Sequence, residues 1–220
     1  MKKLLVILLA TTLFSCNNEV ETKENQVSKI LVLGNSITKS PPGGEWIGNW
    51  GMAASSPYKD FCYLVKQELN AETLDAKSIA VWEANVGYDV NQILSPTTEK
   101  YDYIILKVGE NVSLNEILTY KDRFKTLCEY LENYTDNLII VSTVWSEFIP
   151  SGEGYIEEHN KDRLMQEVAQ ENNYKFVDIS GIINKRMYFA WDEYQNGAIG
   201  SHPNDLGMEF IANSILEKIN

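Results

Sequence analysis

The stretch Ile30-Leu31-Val32-Leu33-Gly34-Asn35-Ser36 decides the fold. An apolar run rich in branched residues ends abruptly in Gly-Asn-Ser, which predicts a buried parallel strand with a serine at its carboxyl end. In open α/β sheets, ligands bind at that end of the strands. Ser201-His202-Pro203-Asn204 lies near the end of the chain, so Ser36 and His202 are a candidate nucleophile and base, far apart in sequence, which the fold would have to bring together.

Apolar runs alternate with amphipathic segments along the rest of the chain. The predicted strands are Lys29–Leu33, Ser78–Trp82, Tyr103–Val108, Leu138–Thr143 and Lys175–Asp178, and the predicted helices are Lys59–Leu69, Leu114–Asn133, Glu157–Asn172 and Leu206–Ile219. This alternation predicts an α/β fold, a three-layer α/β/α sandwich with a five-stranded parallel sheet. The irregular stretch Thr38–Pro57, rich in Gly, Pro, Ser and Trp, is expected to be an active-site loop.

The first residues have the pattern of an export signal. Met1-Lys2-Lys3 precedes the apolar run Leu4–Ala10, which is shorter than the about 20 residues that a membrane-spanning helix needs. Leu13-Phe14-Ser15-Cys16 resembles a bacterial lipobox, which implies cleavage before Cys16 and lipidation of that cysteine. Ordinary secretion with a free Cys16 is the alternative. We therefore predict a signal peptide at 1–15, a polar flexible tether at 16–27 and one domain at 28–220.

The charge and the cysteines exclude several classes of protein. The net charge is −12, which argues against a nucleic-acid partner and against electrostatic binding to anionic membranes. The lipid anchor is then the only predicted membrane contact. Cys62 and Cys128 lie in apolar helical patterns and are expected to be buried free thiols, although an exported protein can also join them in a disulfide. No spacing of cysteines or histidines indicates a metal site, and no cofactor is predicted.

Three short motifs, in order along the chain, resemble those of the SGNH (GDSL-like) hydrolases. Gly34-Asn35-Ser36 matches the first block of that family, and Gly109-Glu110-Asn111 matches its Gly-x-Asn block. Ser201-His202-Pro203-Asn204, followed by Gly207, matches the last block. The stretch Gly34–Ser56 is also similar to a subgroup of these proteins from Bacteroidetes.

The resemblance implies a flavodoxin-like α/β/α esterase. Ser36 would be the nucleophile, His202 the base and Asn111 an oxyanion donor. Gly87, in Asn85-Val86-Gly87, matches the glycine block more weakly and would be a further donor. The Gly-x-Ser-x-Gly elbow of α/β-hydrolases is absent.

Each of these residues also has a structural interpretation. Ser36 can cap a helix, Asn111 and Gly87 can be turn residues, and His202 can be structural. The only other histidine, His159, lies in a charged stretch that is typical of a solvated helix start. If the base is a histidine, it is therefore His202.

The sequence departs from the family at the residue that should orient the base. The family usually has an aspartate three residues before the histidine, and Ile199 stands there. Because some members use a main-chain carbonyl from this position, we expect a Ser36–His202 dyad in which the Ile199 carbonyl accepts from the ring. Glu193 is the alternative acid, followed by Asp192. Asp205 is the third candidate, although it is expected to interact with the start of the last helix instead.

Tryptophans give the strongest indication of substrate. Trp46, Trp50, Trp145 and Trp191 map to predicted loops on one rim, where they could stack on sugar rings, whereas Trp82 is expected in the core. Packing of long loops onto the sheet is the alternative. We therefore predict a serine esterase that removes acyl groups, O-acetyl above all, from carbohydrate in the cell envelope. The alternatives are an esterase for lipid or other small esters and a non-catalytic, glycan-binding surface lipoprotein.

Overall fold

The computed structural model describes residues 27–113, 116–144, 154–183 and 185–219, and its centre is a five-stranded parallel sheet in the order β2-β1-β3-β4-β5. The strands are β1 (Lys29–Gly34), β2 (Thr73–Ser78), β3 (Tyr103–Lys107), β4 (Leu138–Val141) and β5 (Lys175–Val177). The helices are α1 (Phe61–Glu68), α2 (Ala80–Ala84), α3 (Ile117–Leu131), α4 (Gly154–Asn172), α5 (Gly197–Gly200) and α6 (Asp205–Ile219). The predicted fold class is confirmed.

Side chains of the central strands alternate between two apolar layers. In β1, Ile30 and Val32 pack in one layer, and Leu31 and Leu33 pack in the other. Helices α1 and α6 cover the first face of the sheet, and α3 and α4 cover the second. Since both faces are covered, β1 is an uninterrupted apolar run rather than an alternating one.

The order of the strands places a crevice between β1 and β3. The chain leaves β1 for the edge strand β2 and returns to form β3 on the other side of β1. Gly34, the last residue of β1, is paired with Lys107, the last residue of β3. A Cβ at Gly34 would lie 2.6 Å from the Lys107 carbonyl, so only glycine permits this close approach. Ligands of open α/β sheets bind at such a switch point.

The second strand was predicted in the wrong place. Ser78–Trp82 is not a strand: β2 ends at Ser78, and α2 begins at Ala80. The edge strand buries only Leu74 and Ala76 in part, so its apolar signal is weak. The stronger apolar run after it forms α2, which buries Trp82 in the core as expected.

The two cysteines of the domain are buried and free. Cys62 belongs to the layer on one face of the sheet, and Cys128 belongs to the layer on the other. The predicted signal peptide, Cys16 and nearly all of the tether lie outside the described residues. Among the described helices, none is long and apolar enough to cross a membrane.

Candidate active site

Ser36 lies in the turn that follows β1, at the carboxyl edge of the sheet. The main-chain carbonyl of Asn35 accepts from the amides of Thr38 (3.0 Å) and Lys39 (2.9 Å). The Asn35 side chain accepts from the amide of Ile37 (3.1 Å), which makes this an Asx turn. The turn does not continue into a helix, so Ser36 is not a helix cap.

His202 is the hydrogen-bond partner of the Ser36 hydroxyl, with 2.7 Å between Oγ and Nε2. The main chain of His202 is held on both sides. Its amide donates to the Ile199 carbonyl (2.9 Å), and its carbonyl accepts from the amide of Ala190 (3.1 Å). The segment between α5 and α6 therefore presents the imidazole to the turn after β1.

The other ring nitrogen of His202 meets a backbone carbonyl, that of Ala198 and not that of Ile199 as predicted. The distance from Nδ1 to the Ala198 oxygen is 2.8 Å. The last carbonyls of a helix have no helical donor, and the Ala198 carbonyl of α5 accepts from two side chains, the Ser201 hydroxyl (3.0 Å) and the His202 ring. The Ile199 carbonyl is occupied by the main-chain amide of His202. Since a carbonyl only accepts, Nδ1 carries the hydrogen, and the neutral ring turns the lone pair of Nε2 to Ser36.

The predicted acids have other partners. Glu193 is exposed and hydrogen-bonds Asn204 rather than the imidazole. Asp192 forms an ion pair with a nearby arginine. Asp205, in the first turn of α6, accepts from the amide (2.8 Å) and the hydroxyl (2.7 Å) of Ser55. The alternative in which Glu193 replaces the missing aspartate was therefore wrong.

Asn111 follows β3, and its side chain is held by a buried carboxylate. Asn111 Nδ2 donates to Oε2 of Glu83 at 2.7 Å. Glu83 lies in α2 and is 0% exposed. Its Oε1 accepts from the amide of Gly109 and from Nδ2 of Asn35 (3.3 Å). One carboxylate thus joins the residue before Ser36 to both ends of the Gly109–Asn111 motif.

Gly87 lies in an exposed turn after α2. Its amide donates to the side chain of Asn85 at 3.0 Å. Because this N–H already has an acceptor, it is not turned to an oxyanion. The structural interpretation of Gly87 as a turn glycine accounts for it, and its prediction as an oxyanion donor is corrected.

A second carboxylate, largely buried, lies beside the first. Lys107 is 0% exposed and forms an ion pair with Glu110. Glu110 also accepts from Nδ2 of Asn35 (2.6 Å) and from the amide of Val144 (3.0 Å). The Asn35 amide group therefore bridges both carboxylates. We call Asn35, Glu83, Lys107 and Glu110 the buried charge cluster.

The loop after β3 is also held by Lys161 of α4. Its Nζ donates to the carbonyls of Gly109 and Val112, each at 3.0 Å, and the residue is 2% exposed. The φ angle of Gly109 is +124°, a conformation that side chains disfavour. Contacts from α2 and α4 thus fix the backbone on either side of Asn111.

Burial shifts the pKa of the ionisable groups here. Burial and, to a lesser extent, the Glu110 carboxylate raise the pKa of Glu83. The hydrogen bonds that Glu83 accepts from Asn111, Gly109 and Asn35 act to lower it, but the pKa remains raised. Burial also acts to raise the pKa of Glu110, but Lys107, together with the donors of Val144 and Asn35, lowers that pKa overall. Partial burial lowers the pKa of His202, although the carbonyl at Nδ1 opposes this. The imidazole is therefore neutral, and able to accept a proton, at neutral pH.

The tryptophans predicted to bind substrate have different environments. Trp46 is 3% exposed and donates to a main-chain carbonyl, so it packs the loop and offers no ring face to a sugar. Trp50 is half-buried, donates to the Ala54 carbonyl (2.9 Å) and meets Trp46 edge to face at 5.3 Å. Trp191 is half-buried and packs on α5. Trp145 lies outside the described residues.

The buried charge cluster was missed by the sequence analysis. One signal was available, because Lys107 ends an apolar strand and a charge buried in a sheet needs a partner. Glu110, three residues later, is that partner. Glu83 gave no comparable signal, since it stands next to the misplaced second strand. Among the described residues, no group of three or more His, Cys, Asp and Glu is placed to hold a metal ion.

Comparison with known proteins reveals similarity of structure. No protein-family model matches the sequence, and no curated protein is significantly similar to it. A variant of the acetyl xylan esterase Axe2 from Geobacillus stearothermophilus superposes with a TM-score of 0.60 at 20% identity, over 88% of this chain and 94% of that one. Solved structures of Axe2 include catalytic mutants in which a serine, a histidine or an aspartate is changed to alanine.

Two further structures have the same fold. LAE5, an α/β hydrolase from the metagenome of Lake Arreo in Spain, gives a TM-score of 0.58 at 18% identity, over 87% of this chain and 94% of that one. The salicylyl-acyltransferase SsfX3 of a tetracycline biosynthetic pathway gives 0.63 at 15% identity, over 89% of this chain and 55% of that one. At these identities the similarity establishes the fold alone.

Proposed function

We propose that this protein is a serine esterase of the SGNH type that hydrolyses acyl esters, with O-acetylated carbohydrate as its substrate. The observation that carries the proposal is the Ser36–His202 pair, 2.7 Å apart, in a fold where these residues come from opposite ends of the domain. A serine hydroxyl is a weak nucleophile until a base takes its proton. Here the base has its lone pair on the serine and its own N–H on a fixed acceptor.

The reaction would proceed in two steps. Nε2 of His202 takes the proton of Ser36 as Oγ attacks the ester carbonyl, and it then gives that proton to the sugar oxygen, which leaves as a hydroxyl as the C–O bond breaks. The resulting acyl-enzyme is hydrolysed by a water that His202 activates in the same way. The negative charge that develops on the ester oxygen requires fixed donors, and the Asn111 side chain and the Ser36 amide are the candidates.

Carbohydrate is favoured as the substrate by the acetyl xylan esterase with the same fold. Trp50 and Trp191, half-buried on loops at this edge of the sheet, are the candidates to contact sugar rings. An exported lipoprotein, anchored through Cys16, would meet such substrates in the cell envelope. Esters of lipids or other small alcohols are the alternative substrates.

One observation favours a second function, a non-catalytic glycan-binding protein. The His202 ring donates to a main-chain carbonyl, whereas in Axe2 one of the catalytic mutants replaces an aspartate. A carbonyl stabilises the imidazolium less than a carboxylate does. The second function is therefore glycan binding on a scaffold that has lost catalysis, and a measurement of activity distinguishes the two functions.

The test is hydrolysis of p-nitrophenyl acetate, followed by acetate release from acetylated xylan and other native glycans. We expect the purified protein to be active, and Ser36→Ala and His202→Ala each to lower kcat by about 10⁴-fold or more. Ser95→Ala, in an exposed turn, and His159→Ala, at the only other histidine, should retain full activity. An inactive wild type that binds the glycan would favour the binding protein, and an active Ser36→Ala would refute the mechanism.

A further inference from the structure

We propose that Glu83 is a positioning residue that fixes the Asn111 side chain for donation to the oxyanion; this inference rests on the proposed esterase function. Glu83 does not touch the reacting atoms. It acts through the 2.7 Å hydrogen bond that its Oε2 accepts from Asn111 Nδ2. The same carboxylate holds the Gly109 amide and Asn35, so it contacts the backbone before Asn111 and the residue before Ser36.

The chemistry of the Asn111 side chain explains why it needs such a partner. A carboxamide has a donor face and an acceptor face, and half a turn about its terminal bond exchanges them. Only the NH₂ group can stabilise an oxyanion. A carboxylate accepts and never donates, so Glu83 retains the orientation in which Nδ2 faces it. One N–H of Nδ2 then binds Glu83, and the second N–H stays available.

A role in stability alone does not account for a carboxylate at this position. Burial of an anion costs several kcal/mol, and apolar side chains of similar volume often stabilise a core as well or better. Fixing Asn111, by contrast, requires an acceptor. Burial raises the pKa of Glu83, and ionisable groups with a shifted pKa are common at functional sites, which agrees with a role of Glu83 in the site.

Lys161 makes the effect of Glu83 on Asn111 separable from its effect on the loop. Nζ of Lys161 holds the carbonyls of Gly109 and Val112 at 3.0 Å each, whatever residue occupies position 83. The backbone around Asn111 therefore keeps anchors when Glu83 is changed. A variant at this position should free the side chain of Asn111 before it displaces the loop.

Glu83→Gln is the most specific variant, because it preserves volume and replaces one oxygen by a donor. The remaining oxygen satisfies Gly109 and Asn35 when it takes the place of Oε1, and the new NH₂ then faces Nδ2 of Asn111. Asn111 avoids this contact between two NH₂ groups by rotating its amide through half a turn. Its oxygen then lies where Nδ2 was, and the donor to the oxyanion is lost. We expect kcat for p-nitrophenyl acetate to fall about 10²-fold, as in Asn111→Ala, and KM to change by less than about threefold.

A double-mutant cycle tests whether the effect passes through Asn111. Once Asn111 is alanine, Glu83→Gln should lower kcat by less than about threefold more, because the group it positions is gone. A further drop of about 10²-fold in the double mutant would overturn the proposal and assign Glu83 a general structural role. Glu83→Asp, which keeps the acceptor on a shorter side chain, should lose less activity than Glu83→Gln and serves in the same cycle if the Gln variant does not fold.

The control is Asp102→Asn, at the opposite end of the sheet. Asp102 accepts from the amides of Ser28 (2.6 Å) and Lys29 (2.8 Å), so the change should lower stability in urea and leave kcat unaltered. An active wild type with an unaltered kcat in Glu83→Gln overturns the positioning role alone. An inactive wild type overturns the proposed function and this inference together, so the two failures are distinguishable.

Discussion

The two halves of the site are held by different kinds of interaction. The half that contains Ser36 and Asn111 rests on the buried charge cluster, in which Asn35 bridges Glu83 and Glu110. The half that contains His202 rests on main-chain groups: the ring donates to the Ala198 carbonyl, and the backbone pairs with a neighbouring segment. No carboxylate among the described residues orients the imidazole.

The contrast follows from where each half lies in the fold. The turn after β1 and the loop after β3 lie over the centre of the sheet, where polar groups are buried and each needs a partner. His202 lies between α5 and α6 and is partly exposed. The end of α5 has carbonyls without helical donors, so it supplies an acceptor without burying another charged group. The serine half should therefore be sensitive to changes of charge, and the histidine half to changes of backbone and packing.

The largest effect is expected from Asn35→Asp, which breaks the serine half. The change keeps the shape of the side chain and replaces the amide that bridges Glu83 and Glu110 by a third carboxylate. At pH 7.5 we expect the free energy of unfolding to fall by about 3–5 kcal/mol, since three carboxylates would lie together with only the Lys107 ammonium paired to one of them. The loss should shrink at pH 5, because a protonated carboxyl again has a donor. Urea unfolding at both pH values measures this.

Asn133→Asp provides the matched control. Asn133 is exposed at the end of α3 and donates to main-chain carbonyls there. Its change should alter the free energy of unfolding by less than about 1 kcal/mol. A loss in Asn35→Asp as small as that, or one independent of pH, would mean that the two carboxylates do not depend on the Asn35 amide.

A smaller effect is expected from Ile199→Asp, which attempts to give the histidine half a carboxylate. The Ile199 side chain is 4% exposed and packs with Trp46, Ala53 and Ala190. An aspartate there would be buried among apolar groups, so we expect a loss of about 2–4 kcal/mol in the free energy of unfolding and no gain in kcat. Ile199→Val, the packing control, should cost about 1 kcal/mol. A higher kcat in Ile199→Asp would show that the carboxylate reaches the ring.

The same contrast explains what could be predicted from the sequence. β1, β3 and the serine turn were identified because buried parallel strands are continuous apolar runs and their ends carry the site. β2 was misplaced because an edge strand buries little and α2 is more apolar. All of these elements are predicted from local sequence patterns. The prediction succeeds where the apolar pattern is strong, in β1 and β3, and fails where it is weak, in β2.

The partners of the site residues were harder to predict. The contact of Glu83 with Asn111 joins residues 28 positions apart, and no short motif records it. The acceptor of the imidazole was missed by one residue, because a carbonyl has no identity in the sequence and only the helical geometry of α5 selects Ala198 over Ile199. Trp46 was assigned to a binding surface although its indole packs the loop from within. Composition alone does not distinguish these environments.

The smallest predicted effect is in the pH dependence of kcat/KM, which tests whether His202 is held by a main-chain carbonyl or by a carboxylate. Activity requires neutral His202, and partial burial lowers its pKa below the usual value of about 6.5. Activity should therefore fall only as the pH drops below that value, with more than half of the plateau retained at pH about 6.5. An aspartate partner would raise the pKa and move the fall to higher pH. A profile of kcat/KM for p-nitrophenyl acetate between pH about 4.5 and 8 distinguishes a carbonyl partner from a carboxylate partner. An NMR titration of His202, with His159 as the reference, measures the pKa directly. A fall of activity centred above pH about 6.5 would contradict the prediction, because it would require a carboxylate at the ring.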